Sequence, residues 1–229
     1  MIDIHTHLLH GVDDGSDSIE TSVEMAKKLQ TEGVTDAIVT PHFRGGYTAN
    51  REILQVQLNA LKSELKKQGV PLNLYLGQEF YVTKDYKSQI REGVAIPLND
   101  KKYILCEFDY QKDNDIADIV YEIKAMGYKP IVAHLERYSY ADLDLAFDIK
   151  SCGGYIQINA DSVLDPIDGK QKKLIKQLFK EDLVDFVASD FHEFREPLMQ
   201  KAYQYVEKKF GGERAKKVFI ENAKEIIEG

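Results

Sequence analysis

The chain has 229 residues and a formal net charge of −8, from 30 Lys plus Arg against 38 Asp plus Glu. That length suits one α/β domain spanning residues 1–229, and the acidic balance excludes a general attraction for nucleic acid or anionic lipid. The start MIDIHTH lacks a signal-peptide apolar region, no apolar run reaches a membrane span, and the two cysteines, Cys106 and Cys152, are too few for a disulfide framework, so a cytoplasmic chain is expected.

Short apolar runs rich in Val, Ile, Leu and Tyr alternate with longer segments of helical period. A strand at residues 2–5 leads to a helix at 19–31, for which Asp17 or Ser18 offers an N-cap. A strand at 37–40 precedes a helix at 50–68, whose Leu54, Leu58, Leu61 and Leu65 form one buried face. Strands at 74–76 and 103–106 follow, then a helix at 116–126. The remaining order is strand 130–133, helix 141–151, strand 155–158, helix 170–180, strand 186–188, and helices at 197–210 and 213–227. Lys172, Lys173 and Lys176 read as the solvated side of a helix whose other face is Leu174, Ile175, Leu178 and Phe179. Strand–helix alternation along the whole chain implies parallel strands with helical crossovers. Seven such units suit a distorted (β/α)7 TIM-like barrel better than an open doubly wound sheet. Either architecture gathers functional residues at the carboxyl ends of the strands.

Those ends carry an unusual set of side chains. The segments read MIDIHTH, AIVTPH, LYLGQE, YILCEF, PIVAH and FVASDFH. His5 and His7 are two apart, so an extended strand points both to one face, and Asp190 and His192 repeat that spacing. His42, His134, Glu79 and Glu107 each end or follow an apolar run, where a carboxylate is costly unless paired or bound to metal. Asp13 and Asp14 share a turn. Asp13 reads as a turn or cap residue, and the resemblance described below favours Asp14 over it as a ligand.

Nitrogen and carboxylate ligands without thiolate suit Mn, Fe or Zn in multinuclear hydrolytic sites. Two ions roughly 3.5–4 Å apart can share a hydroxide and clamp a phosphoryl group. Asp14, Glu79, Glu107 and Asp190 carry four negative charges, so three divalent ions and one hydroxide would leave a local excess of positive charge for a phosphate. Arg137 lies three residues after His134 and Arg195 three after His192; both are candidates for bidentate phosphate contact. Arg44 lies on a glycine-containing loop at 42–50 and is a candidate substrate contact. No arginine lies six residues after either cysteine, which sets aside a phosphocysteine mechanism.

Taken in order and spacing, Met1 to His7, Val12 to Ser16, Thr40 to His42, Gly77 to Glu79, Ile104 to Phe108, Ala133 to Arg137 and Ala188 to His192 resemble the PHP (polymerase and histidinol phosphatase) superfamily. More narrowly, they are similar to the Mn-dependent protein-tyrosine phosphatases encoded with capsule or exopolysaccharide genes in Gram-positive bacteria. The resemblance implies a PHP barrel with three divalent ions, Mn²⁺ first, with Fe, Zn or Mg as alternatives. It implies His5, His7, Glu79 and Asp190 around the first ion, Glu79, Glu107 and His134 around a second with Glu79 bridging, and Asp14, His42 and His192 around a third. It also implies phosphotyrosine hydrolysis by a metal-bridging hydroxide, with the C-terminal tail of a bacterial tyrosine kinase as substrate. The family's second arginine usually lies five residues after the final histidine, where this chain has Arg195 at three, and the proline that usually follows the fifth-strand histidine is Leu135. His10 and Asp13 are the nearest residues in sequence for a general acid. The rival expectations are a small-molecule phosphatase such as histidinol-phosphate phosphatase, a nuclease, and a non-catalytic metal-binding regulatory module.

Overall fold

In the computed structural model, which describes residues 1–229, the strands are β1 (Ile2–Thr6), β2 (Asp36–Val39), β3 (His42–Phe43), β4 (Asn73–Leu76), β5 (Glu79–Tyr81), β6 (Tyr103–Glu107), β7 (Lys129–Val132), β8 (Tyr155–Asn159) and β9 (Phe186–Ala188). The helices are α1 (Ile19–Thr31), α2 (Arg51–Lys67), α3 (Tyr86–Arg91), α4 (Ile116–Ala125), α5 (Leu143–Ser151), α6 (Ala160–Leu164), α7 (Gly169–Lys180), α8 (Met199–Phe210), α9 (Gly212–Lys216) and α10 (Asn222–Glu228). The predicted final helix is present as one uninterrupted helical run, with a π turn at Lys217–Glu221 joining α9 to α10. No helix is long and apolar enough to cross a membrane.

Local chemistry sets the long helices. Ser18 caps α1 by accepting the Thr21 N–H, and Asn50 caps α2 by accepting the Ile53 N–H at 3.0 Å. Leu54, Leu58, Leu61 and Leu65 form the buried face of α2 as their spacing requires.

Strands β3 and β5 are too short for apolar alternation to reveal. Each continues the strand before it: Thr40-Pro41 separates β2 from β3, and Gly77-Gln78 separates β4 from β5. A proline donates no hydrogen bond to a ladder, so β2 cannot run through Pro41 unbroken. Pairing nonetheless crosses both breaks, with Gly77 N–H donating to Val39 C=O and Glu79 N–H to Pro41 C=O. The nine strands thus form seven staves, and every strand pairing is parallel. Thr6 bridges to Phe191, which brings the last stave back to the first. Closure is incomplete, because β6 pairs with β5 and not with β4. Buried Leu98 fills the lower gap. A β-carbon on Gly77 would sit 2.6 Å from Leu98 Cδ2 and 2.9 Å from Ile38 Cγ2, so only glycine lets this plug approach.

Two apolar layers result. Ile2, Ile4, Tyr103, Leu105, Ile131, Ala133, Phe186 and Ala188 fill the barrel with Leu98, and Ala223 and Ile226 of α10 close its base. The intervening strand residues, among them Ile104, Cys106, Val132, Ile156, Ile158 and Val187, pack outward against the helices. Apolar filling stops near the carboxyl ends of the strands, and above it the interior is polar.

Candidate metal centre

All the predicted strand-end side chains except that of Asp14 are buried, and they converge on the carboxyl mouth of the barrel. A β-irregularity makes this possible on β1. Its register against β2 slips between Asp3 and Thr6, and Asp3 Oδ1 accepts the His5 N–H. Ile4 stays with the interior apolar cluster while its neighbour His5 also turns inward. Two other strand ends are turned by left-handed backbone: His134 has φ 33° and Asp190 has φ 50°. Such conformations cost a non-glycine residue about 1–3 kcal/mol. They are held by His134 N–H donating to Gln157 Oε1 (3.0 Å) and Asp190 N–H donating to His5 C=O (3.0 Å).

Glu79 is the hub. Its Oε2 lies 3.5 Å from His5 Nε2, 3.6 Å from His7 Nε2 and 2.5 Å from His42 Nδ1, while Oε1 lies 2.8 Å from His134 Nε2. Asp190 divides its oxygens in the same manner. Oδ1 faces His5, His7 and His192 at 3.4–3.5 Å, and Oδ2 accepts from Arg137 (2.9 Å), Arg195 (2.7 Å) and Asn159 (3.0 Å). Asp14 Oδ1 lies 3.3 Å from His42 Nε2 and 3.6 Å from His192 Nε2. Glu107 accepts from Arg44 at 2.8 Å and from the Tyr110 hydroxyl at 2.9 Å.

The tautomers of His5 and His7 can be deduced. Gln157 Oε1 accepts the His134 N–H, so it is an oxygen, and His5 Nδ1 must carry the proton shared with it at 3.2 Å. His7 Nδ1 donates to Asp13 Oδ2 at 2.7 Å. In the neutral rings both Nε2 atoms are therefore lone pairs, yet they face each other at 3.2 Å beside two carboxylates. Glu107 Oε2 and His134 Nδ1 are buried without a hydrogen-bond partner, and His42 Nδ1 and Glu79 Oε2, 2.5 Å apart, meet outside good hydrogen-bond geometry. Lone pair facing lone pair is repulsive in a dry interior unless a cation lies between. Three groups, His5–His7–Asp190, His7–His42–His192 and His42–Glu79–Glu107, bring donor atoms close enough to share an ion. The residues present fit divalent metal.

Electrostatics agree. Burial disfavours charge on Glu79 and Asp190, but neighbouring histidines, His5 first, hold both well below the usual carboxylate range. Burial disfavours the His7 imidazolium, and Asp13 overcomes this and raises it. Burial and then repulsion from Glu79 push Glu107 up to about 8. Burial, followed by His7, lowers His192 to about 4, and burial lowers His134. Burial disfavours the His5 imidazolium too, and Glu79 and Asp190 raise it, so protons and metal would compete for the same Nε2 lone pairs.

Arg137, Arg195 and Arg44 all reach the rim. Together with Asp14, Tyr110, His192 and Phe194 they line a small pocket of about 120 Å³ over Glu79, Asp190, His42 and His134. Arg195 arrives there from three residues after His192 because Arg195 N–H donates to His192 C=O, closing a turn. Arg44 sits in a hairpin closed by paired Arg44–Tyr47 backbone bonds.

Sequence reasoning missed the residues that orient the site. Asp13 does serve the turn, accepting from Gly15 N–H. Its second oxygen, however, fixes His7 and accepts the His42 N–H at 3.0 Å. That commitment removes it as a free proton donor, and His10 does not line the pocket. Gln157 and Asn159 fix His5, His134 and Asp190. The signal for them was the strand Tyr155-Ile156-Gln157-Ile158-Asn159, where amides alternate with isoleucines on a strand buried on both sides.

The profile of the family described as capsular polysaccharide synthesis, CpsB/CapC, matches residues 1–228. The tyrosine-protein phosphatase CpsB of Streptococcus agalactiae is 33% identical over 99% of this chain and 98% of its own length. The tyrosine-protein phosphatase YwqE of Bacillus subtilis is 34% identical over 93% of this chain and 86% of its own. One of the crystal structures of B. subtilis YwqE and Streptococcus pneumoniae CpsB, metal-dependent tyrosine phosphatases, superposes with a TM-score of 0.87 at 30% identity, over 94% of this chain and 90% of that one. An organophosphorus hydrolase from Deinococcus radiodurans, at 10% identity and TM-score 0.65, shares the fold alone.

Proposed function

Because the chain belongs to the CpsB/CapC family of the PHP superfamily, we propose that it is a metal-dependent protein-tyrosine phosphatase built as one domain over residues 1–229. It would act in the cytoplasm on phosphotyrosine in the tail of a bacterial tyrosine kinase that controls capsule or exopolysaccharide synthesis. The observation that carries the reading is the facing Nε2 lone pairs of His5 and His7 at 3.2 Å, fixed by Gln157 and Asp13 beside Glu79 and Asp190.

In this reading His5, His7, Glu79 and Asp190 hold one ion, Glu79, Glu107 and His134 a second, and Asp14, His42 and His192 a third, with Mn²⁺ the expected metal. The two oxygens of Glu79 face different histidines, so Glu79 would serve both the first and the second group. His42 presents Nε2 to Asp14 and Nδ1 to Glu79, so it lies between the second and third groups. Divalent ions bound there would supply an acidified water and offset phosphoryl charge. Arg137 and Arg195 orient the phosphoryl group and stabilise the charge that develops on its oxygens, with Arg44 closing a further side. Tyrosine leaves with a pKa of roughly 10, which lessens the need for a protein acid.

The test is hydrolysis of a phosphotyrosine peptide by metal-stripped protein before and after adding Mn²⁺, with histidinol phosphate in parallel. Mn-dependent turnover of the peptide with little of histidinol phosphate is expected. The opposite preference would keep the metal centre and replace the substrate. Failure on both substrates with metal bound would remove the phosphatase reading.

A further inference from the structure

The pocket lining is nearly all polar, and only Tyr110 and Phe194 bring a phenyl ring to it. Tyr110 is already engaged. Its hydroxyl donates to Glu107, its ring stacks on His134 at 5.6 Å, and the Arg137 guanidinium lies 5.0 Å from its centre. Phe194 is different: it is 67% exposed. The turn closed by Arg195 N–H to His192 C=O fixes its backbone at the mouth. Its ring centre lies 5.2 Å from that of His192 and 5.4 Å from the Arg195 guanidinium carbon.

A lone exposed phenylalanine is ordinary on a protein surface. This one packs on a candidate metal-binding histidine and a candidate phosphate-binding arginine, with a free face toward solvent. The pocket beside it, about 120 Å³, is smaller than the roughly 300 Å³ at which pockets begin to enclose a whole organic ligand. A phosphoryl group can enter, and the carbon skeleton that carries it must remain at the rim, where Phe194 stands.

We propose that Phe194 is a specificity-determining residue that receives the aryl ring of the substrate in an offset or edge contact, favouring aryl over alkyl phosphate esters. The inference rests on the tyrosine-phosphatase reading and adds to it a source of preference for the aromatic side chain. In this arrangement Phe194 meets the ring of the substrate and not its phosphoryl group, so its influence falls on ring binding.

The test uses the Mn-loaded full chain as wild type, Phe194→Ala and Phe194→Tyr. Each is assayed on a phosphotyrosine peptide with phenylphosphonate or methylphosphonate as competing inhibitor, both resistant to hydrolysis. Phe194→Ala should weaken phenylphosphonate inhibition roughly three- to tenfold, the range of an aromatic pair contact. Methylphosphonate inhibition should stay as in the wild type, and Phe194→Tyr should restore the phenyl preference. An unchanged ratio of the two inhibitors in Phe194→Ala, or an equal loss for both, would overturn the role. Absence of peptide hydrolysis by the wild type would instead overturn the activity itself, and the aryl role with it.

Discussion

The barrel buries polar groups at both ends, and the two ends are built on opposite terms. At the amino ends of the strands, Asp185 accepts Lys150 Nζ at 2.6 and 2.7 Å and the Ile156 N–H at 2.8 Å, and its own N–H and C=O are bonded to Ile156 and Asn222. At the carboxyl ends, the Nε2 atoms of His5 and His7 face one another at 3.2 Å, and Glu107 Oε2 and His134 Nδ1 are buried without a partner. The lower assembly is satisfied by the protein. The upper one needs partners the chain does not contain. Buried polar groups that complete themselves serve stability, whereas a crowded, oriented and incomplete set serves a ligand. Substitutions should therefore divide: the mouth governs turnover and metal, and the base governs unfolding.

The largest effect should come from His5→Ala. Loss of a shared ion should lower kcat/KM on the order of 10³-fold or more, with far-ultraviolet circular dichroism unchanged. Retained turnover would break the comparison at its centre. Arg195→Ala should cost roughly 10²-fold, the scale of one charge-stabilising donor; a loss below twofold would make its contact with Asp190 merely structural. Asp13→Asn, which keeps the size of the side chain and weakens its hold on His7, should lower metal affinity roughly 10- to 100-fold, measurable by Mn²⁺ titration. At the base, Lys150→Met should leave turnover within about twofold and cost about 2 kcal/mol in urea unfolding. That is below the usual cost of breaking a buried pair, because Lys150 is partly exposed.

The smallest effect sharpens the contrast by pH. Burial and Glu79 raise Glu107 to about 8, above its value of about 4.3 in an unfolded chain. The folded, metal-free chain therefore holds a proton there that the unfolded chain has lost. Its stability should fall as pH rises from about 4.3 to about 8. Glu107→Gln should flatten that slope in the metal-free protein. A slope unchanged by the substitution would place the titration elsewhere.

Much of this division could be read from residue order. His5, His7, His42, Glu79, Glu107, His134, Asp190 and His192 stand out because each interrupts or follows an apolar run, and parallel strands bring such ends together. Strands β3 and β5 were not legible, since two or three residues display no period and their pairing depends on neighbours far along the chain. In the sequence Asp13 shows only its local turn, because its bond to His7 exists only once β1 and the turn pack together. Phe194 carried no signal, since an exposed ring gains meaning only from the pocket it borders.

The most direct test of the central claim is a count of ions: metal per chain by mass spectrometry after Mn²⁺ loading and desalting, for the wild type and Glu79→Gln. Three Mn²⁺ in the wild type and fewer in the variant would match a mouth whose lone pairs are completed by shared ions. A wild type that retains no metal, with phosphatase activity indifferent to chelation, would contradict it.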